Sequence, residues 1–218
     1  MNILEIEILT SNLEETEYFY TKVLELRAID KTRDMVSLRA GKSIFSFIHS
    51  DKLNPRYHFA FNIPNNKLEE ALIWISKRAE LIKNEEGAFI TNFDSWNAKS
   101  LYFYDNNGNV LEFITRFDLN EISDKPFTSE SISSISEIGI VTDKPLVFAE
   151  KMINEHQLKY FAKGPKREDF AVLGDDNGLI IISSPNRDWY PTHHRAENHP
   201  VKMKIGVGSS IKDIATNG

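Results

Sequence analysis

The feature that most constrains this chain is a run of short elements that occurs three times. Residues 3–9 alternate Leu4, Ile6 and Ile8 with Glu5 and Glu7, the period-two signature of a strand. Thr10, Ser11 and Asn12 supply helix-start chemistry, and a helix is predicted from about Asn12 to Val23, with Tyr18, Phe19 and Val23 among its buried positions. Strands follow at 26–30, 35–39 and 43–49, the last two joined by Ala40, Gly41 and Lys42. The order is βαβββ. It begins again with a strand at 57–63, a break at Pro64 and an amphipathic helix over 67–81 carrying Leu68, Leu72, Trp74 and Ile75. LYFYD and NVLEFI flank Asn106, Asn107 and Gly108 and close the second unit near Arg116. A third copy opens with EIGIV at 137–141, continues with a helix from Pro145 to Glu155, and ends in the strands LKYF, FAVL and GLIII. Leu38 and Ile44 span the Gly41 hairpin with the separation at which Leu173 and Leu179 span Asp176, Asn177 and Gly178.

Residues 118–134 are polar and lack apolar periodicity, so they read as a linker. Residues 201–207 read as the first strand of a fourth copy, with eleven residues after it, too few for a helix and three strands. The expected fold class is α+β: repeated βαβββ modules forming a curved mixed sheet with helices outside, three modules plus one extra strand. The expected domains are a complete two-module domain at 1–117, the linker at 118–134 and a third module with a truncated C-terminal strand at 135–218. An open third module exposes an apolar face and an edge that a second chain, or the first domain, must cover, and a homodimer is expected.

Composition narrows the function. A net charge of -6 leaves no basic face for neutralising phosphates, so a small molecule is expected as partner and nucleic acid is not. With no cysteine, thiolate zinc sites and Cys nucleophiles are excluded, and six histidines are the only soft ligands. The N-terminus MNILEIEILT lacks a signal-peptide pattern, and no apolar run approaches the roughly 18 residues of a membrane span. A cytoplasmic location without a membrane partner is expected.

Strand parity then locates the chemistry. Leu4, Ile6 and Ile8 mark the helix side of the first strand, so Glu5 and Glu7 point to the free face, where an acidic pair is costly without a positive partner. On the strand opening the second unit, Phe59 and Phe61 share the helix side and leave His58, Ala60 and Asn62 opposite. On its last strand, Leu111 and Phe113 leave Glu112 on the free face. Glu137 holds in the third unit the place of Glu5 in the first and, without a complete fourth unit to supply partners, reads as vestigial. His193, His194 and His199 with Glu197 read as an exposed loop beside Pro191 and Pro200, with Trp189 and Tyr190 packing it down, while Trp96 rims the pocket or joins the core.

The segments ILEIEILTSNLEETEYFYTKVLEL, YHFAFNIP and SLYFYDNNGNVLEF together resemble the vicinal oxygen chelate superfamily, which includes glyoxalase I, extradiol dioxygenases, fosfomycin-resistance proteins and bleomycin-binding proteins. The resemblance covers residues 1–117 well and the third unit less exactly, through SEIGIV and FAVLGDDNGLIII. It implies metal ligands at Glu5, His58 and Glu112, the positions that parity also selects. It implies a divalent-metal-dependent lyase or dioxygenase acting on a small oxygenated substrate, with Fe, Mn, Ni or Zn as the ion and Glu7, Asn62, Trp96, Tyr102 and Tyr104 contacting substrate or relaying protons. No organic cofactor is expected. Glu5 in place of the histidine of the iron enzymes, and SIFSFI where glyoxalase I places a further Glu, depart from two of the subfamilies. The alternative is a metal-free, antibiotic-sequestering type of small-molecule binder.

Overall fold

In a computed structural model that describes residues 1–217, fifteen strands form one open mixed sheet. The first unit comprises β1 (Asn2–Thr10), α1 (Leu13–Tyr18), β2 (Arg27–Lys31), β3 (Met35–Ala40) and β4 (Ser43–His49). The Asn12 side chain accepts from the Glu15 backbone at 3.1 Å and caps α1. The helix expected to reach Val23 instead widens into a π turn over Phe19–Val23, and Glu25 at φ 55° turns the chain into β2. β1 runs parallel to β4, with Ile8 beside Phe47. Ile6 and Ile8 therefore share a buried layer with Phe45 and Phe47, beneath Tyr20 of the helical segment.

The second unit comprises β5 (His58–Asn62), α2 (Leu68–Ile75), β6 (Leu81–Ile82), β7 (Ile90–Phe93), β8 (Ala98–Tyr104) and β9 (Val110–Arg116). α2 stops at Ile75, short of the expected 81, because Leu81 and Ile82 are drawn into the sheet against Phe103 and Tyr102. The third unit comprises β10 (Ser134–Val141), α3 (Pro145–His156), β11 (Lys166–Arg167), β12 (Phe170–Asp175) and β13 (Gly178–Ser183). LKYF does not form a strand; it contributes a single bridge from Tyr160 to Leu173. The chain continues through β14 (Val201–Val207) into β15 (Ser210–Thr216), a second strand where the sequence reading placed only one.

The polar segment 118–134 is more than a spacer. It sends Phe127 and Ile132 into the core, Phe127 meeting Trp74 edge-on at 5.6 Å. Two buried positions without a period give no sequence signal. The segment is stitched to the first unit where Lys42 N donates to the Ser133 carbonyl at 2.8 Å. Gly41 makes that approach possible, since a Cβ there would fall 2.1 Å from the same oxygen.

The decisive feature is which units pair. β5 lies antiparallel to β10, with Asn62 opposite Ser134, Ala60 opposite Glu137 and Phe59 opposite Ile138. β1 instead lies antiparallel to β14, with Glu5 opposite Lys204 and Glu7 opposite Lys202, and meets β10 only at Ile3 and Ile135. The second unit is thus joined to the third, and the first to the β14–β15 hairpin. Both seams carry the same register shift, between Ile3 and Glu5 in one and between Ile135 and Glu137 in the other. The edge of the third unit that motivated a homodimer is occupied by β5 of the same chain.

Candidate metal centre

His58 on β5, Glu112 on β9 and Glu137 on β10 are the only group of three among the described residues placed to hold a metal ion, with ligand atoms within 4.8 Å of one another. Parity puts them there: β5 runs parallel to β9 with Ala60 beside Glu112, and antiparallel to β10 with Ala60 beside Glu137. Ala60 leaves room between two carboxylates that approach from either side, and His58 enters one step along the same face.

Each group is held by a second partner. His58 Nδ1 lies 3.0 Å from the Val110 carbonyl, which sets Nδ1 as the protonated nitrogen and leaves Nε2 as a free donor pair. Nε2 lies 3.7 Å from Glu112 Oε2 and 3.8 Å from Glu137 Oε2, too long for hydrogen bonds. Ser100 Oγ donates to Glu112 Oε1. Arg116, fully buried, donates from Nη2 to Glu137 Oε1 and from Nε to Ser136 Oγ at 3.1 Å, and its Nη1 lies 3.8 Å from Asp176.

Burial and the neighbouring Glu137 charge push the Glu112 carboxyl up to about 7, against the opposing pull of His58, Ser100 and Arg116. Burial also disfavours charge on Glu137, but the nearby His58 ring and the hydrogen bond and charge of Arg116 outweigh it and hold this carboxyl below its usual range. Burial disfavours the imidazolium of His58, yet the two carboxylates and the Val110 carbonyl shift it upward overall. Glu137 is therefore the settled anion, and His58 and Glu112, both shifted upward, are the groups that exchange protons.

The cluster forms the floor of a cavity of about 550 Å³. Phe93, Trp96, Tyr102, Phe170, Trp189 and Tyr190 supply aromatic walls, and Lys163, Arg167 and Arg187 stand among its lining residues. Burial first, then Glu112 and Glu137, push the Tyr102 phenol well above its ordinary value, so it stays a hydrogen-bond donor.

The structure brings only some of the expected residues here. His58, Glu112, Trp96 and Tyr102 line the cavity. Glu5 and Glu7 lie at the other seam, in a smaller groove with Ser46 and Asp213, where Lys204 Nζ meets Glu5 at 3.0 Å and Lys202 Nζ meets Glu7 at 2.6 Å. The positive partner that this acidic pair requires is two lysines. Tyr104 stacks on His194 at 5.4 Å, and Asn62 contacts Ser134 at 3.4 Å; neither lines the cavity. His199 is bound to Glu197 at 2.9 Å and packs on Tyr57, outside the cluster.

Glu137, vestigial on the repeat pattern alone, supplies the third position, and Arg116 is a further member of the cluster that the sequence reading does not pick out. The signals for both were present: Glu137 occupies Glu5's place in ISEIGIV, and Arg116 follows Glu112 by four residues on the same strand face.

No protein-family model matches the chain, and no curated protein is recognisably similar to it. Among solved structures, a provisionally named dioxygenase from Bacillus subtilis superposes with a TM-score of 0.58 at 17% identity, over 84% of this chain. The chain spans 63% of that structure's length. A lactoylglutathione lyase from Agrobacterium tumefaciens matches over 52% of this chain and 92% of its own, at 18% identity and a TM-score of 0.43. A glyoxalase/bleomycin resistance protein/dioxygenase from Nocardioides matches over 58% of this chain and 87% of its own, at 15% identity and a TM-score of 0.43.

Proposed function

We propose that this chain, whose fold is that of the vicinal oxygen chelate superfamily, is a divalent-metal-dependent enzyme acting on a small oxygenated substrate, with its centre at the seam of the second and third units. The observation that carries this reading is the convergence of one imidazole and two carboxylates, buried at a cavity floor and spaced too widely to satisfy one another. The donor set fits the group. Two carboxylate oxygens and one imidazole nitrogen suit a hard or borderline ion such as Mn, Fe, Ni or Zn, and the cavity side stays open for substrate oxygens. When bound, the ion supplies Lewis-acid polarisation of those oxygens.

The chain's own residues do the rest. Val110 fixes the His58 tautomer, Ser100 orients Glu112, and Arg116 holds Glu137 while offsetting its charge. In the metal-free cluster burial and Glu137 push the Glu112 carboxyl up to about 7, so a proton would leave Oε2, the oxygen that faces His58, as Glu112 became a ligand. Tyr102 presents a neutral phenol to an oxygen of the substrate, and the aromatic walls exclude water around it.

One observation favours the alternative of a metal-free small-molecule binder. Arg116 offsets one carboxylate, and protonation of His58 balances the other, so the cluster reaches neutrality without an ion. Reconstitution separates the readings: protein dialysed against chelator and then against Mn, Fe, Ni and Zn in turn is expected to retain close to one ion per chain. His58→Ala is expected to retain none. A wild-type chain that takes up no ion from this series contradicts the enzyme reading.

A further inference from the structure

We propose that Trp189 is a positioning residue for His58, seated in a notch that Gly139 leaves in β10 and fixing the plane of the imidazole; this rests on the reading of His58 as a metal ligand. Gly139 follows Glu137 by two residues and so faces the same cavity. A Cβ at this position would lie 2.5 Å from Trp189 Cη2, 2.9 Å from Cζ2 and 3.2 Å from the His58 carbonyl oxygen. The indole therefore fills the volume that any other residue on β10 would occupy. From there its ring meets the His58 ring at 5.2 Å and 38°.

The arrangement answers a specific need. Rotation of an imidazole about its last side-chain torsion is soft, and one hydrogen bond at Nδ1 restrains a single edge of the ring. A planar wall against the face restrains the remaining tilt, and Nε2 is left aimed between Glu112 and Glu137. Trp189 is itself held. It is 5% exposed, and its segment is internally bonded by Trp189 N to the His194 carbonyl at 2.9 Å, Thr192 N to the Trp189 carbonyl at 2.7 Å and Ala196 N to the Arg187 carbonyl at 2.8 Å. Next to it Tyr190 packs edge-on against Tyr102 and Phe93, across the seam from the strand that the segment leaves. The loop that follows β13 thus reaches over the second unit and places one ring on its metal-ligating histidine.

The test compares wild type with Trp189→Ala, Trp189→Phe, Gly139→Ala and His194→Ala, the last removing a stack at the far end of the same loop. The His58 ring is followed by long-range nitrogen–proton correlation in chelator-treated protein, and Mn(II) affinity by competition titration. Trp189→Ala and Gly139→Ala are expected to shift the His58 ring resonances and to weaken Mn(II) binding by roughly 10- to 100-fold, the usual effect of losing a group that orients a ligand. Trp189→Phe is expected to restore most of both, and His194→Ala to leave both near wild type. Unchanged ring resonances in Trp189→Ala, or Mn(II) affinity equal to wild type in that folded variant, would overturn the proposal. Should Gly139→Ala not fold, the contrast of Ala with Phe at 189 decides alone. A wild type that binds no Mn(II), Fe, Ni or Zn contradicts the metal reading, and the ring resonances then decide the positioning role separately.

Discussion

Glu112 and Glu137 are carboxylates a short distance apart with opposite fates, set by His58, which both approach, and by Arg116, which bonds only one of them. Its guanidinium lies on Glu137, so that residue stays ionised, while Glu112 is left with a serine and a titratable histidine. Removing Arg116 strips a buried charge of its partner, and Arg116→Ala is expected to cost about 3–5 kcal/mol in denaturant unfolding. Lys204→Ala, which unpairs the half-exposed Glu5 at the other seam, is expected to melt close to wild type. The titrating groups also set a pH dependence. The folded values of both Glu112 and His58 lie above their ordinary ones, so the folded chain holds these protons longer than the unfolded chain does. The stability that Glu112 contributes is complete below its ordinary 4.5 and is lost as pH rises to about 7, and that of His58 is lost as pH rises through its raised value. Glu137, shifted downward, is ionised in both states across this window and acts only below it. Metal-stripped protein is thus expected to show a falling Tm from pH 5 to 8, and saturating Mn(II) to flatten or reverse the slope because it displaces the same protons. A flat profile in stripped protein would contradict this assignment.

At the level of elements, the strands and their faces were legible and the ends of helices were not. Alternation in ILEIEIL, HFAFN and VLEFI fixed which side chains faced the free side, and His58 and Glu112 are on it, at the cavity floor. α2 ended early because Leu81 and Ile82 pair with β8, and LKYF makes a single bridge to β12, which pairs with β11 and β13 instead. The linker hid a similar dependence. Phe127, Ile132 and Ser133 dock on elements distant in sequence, and the fit is tight enough to require a glycine at position 41 with φ +56°. Gly41→Ala is expected to lose at least about 1–2 kcal/mol from the left-handed backbone alone, measurable by urea denaturation. Wild-type stability in that variant would show that the Ser133 contact is slack.

At the scale of the whole molecule, the question parity could not answer was which repeat faces which. Glu5 and Glu137 occupy the same place in the repeat, and a period shows the place without showing the neighbour. One clue lay in VKMKIGV: lysines on alternate positions match Glu5 and Glu7 in sign and spacing, and they fill the first seam with ion pairs. The corresponding strand of the second unit carries His58 and Ala60 there, and faces Glu137 and Gly139, a candidate ligand pair beside a notch. Residues 1–117, expected as a self-contained domain, hold two of the three ligand positions and leave the β5 edge bare. A chain cut after 117 is therefore expected to aggregate or bind no divalent ion, and a soluble fragment binding one ion would contradict the pairing of units. The most direct test is elemental analysis of Glu5→Gln and Glu137→Gln, each purified without chelator beside wild type and incubated with Mn, Fe, Ni and Zn. Ion content is expected to equal wild type in Glu5→Gln and to fall close to zero in Glu137→Gln. The reverse result, metal lost with Glu5 and kept without Glu137, would contradict this expectation.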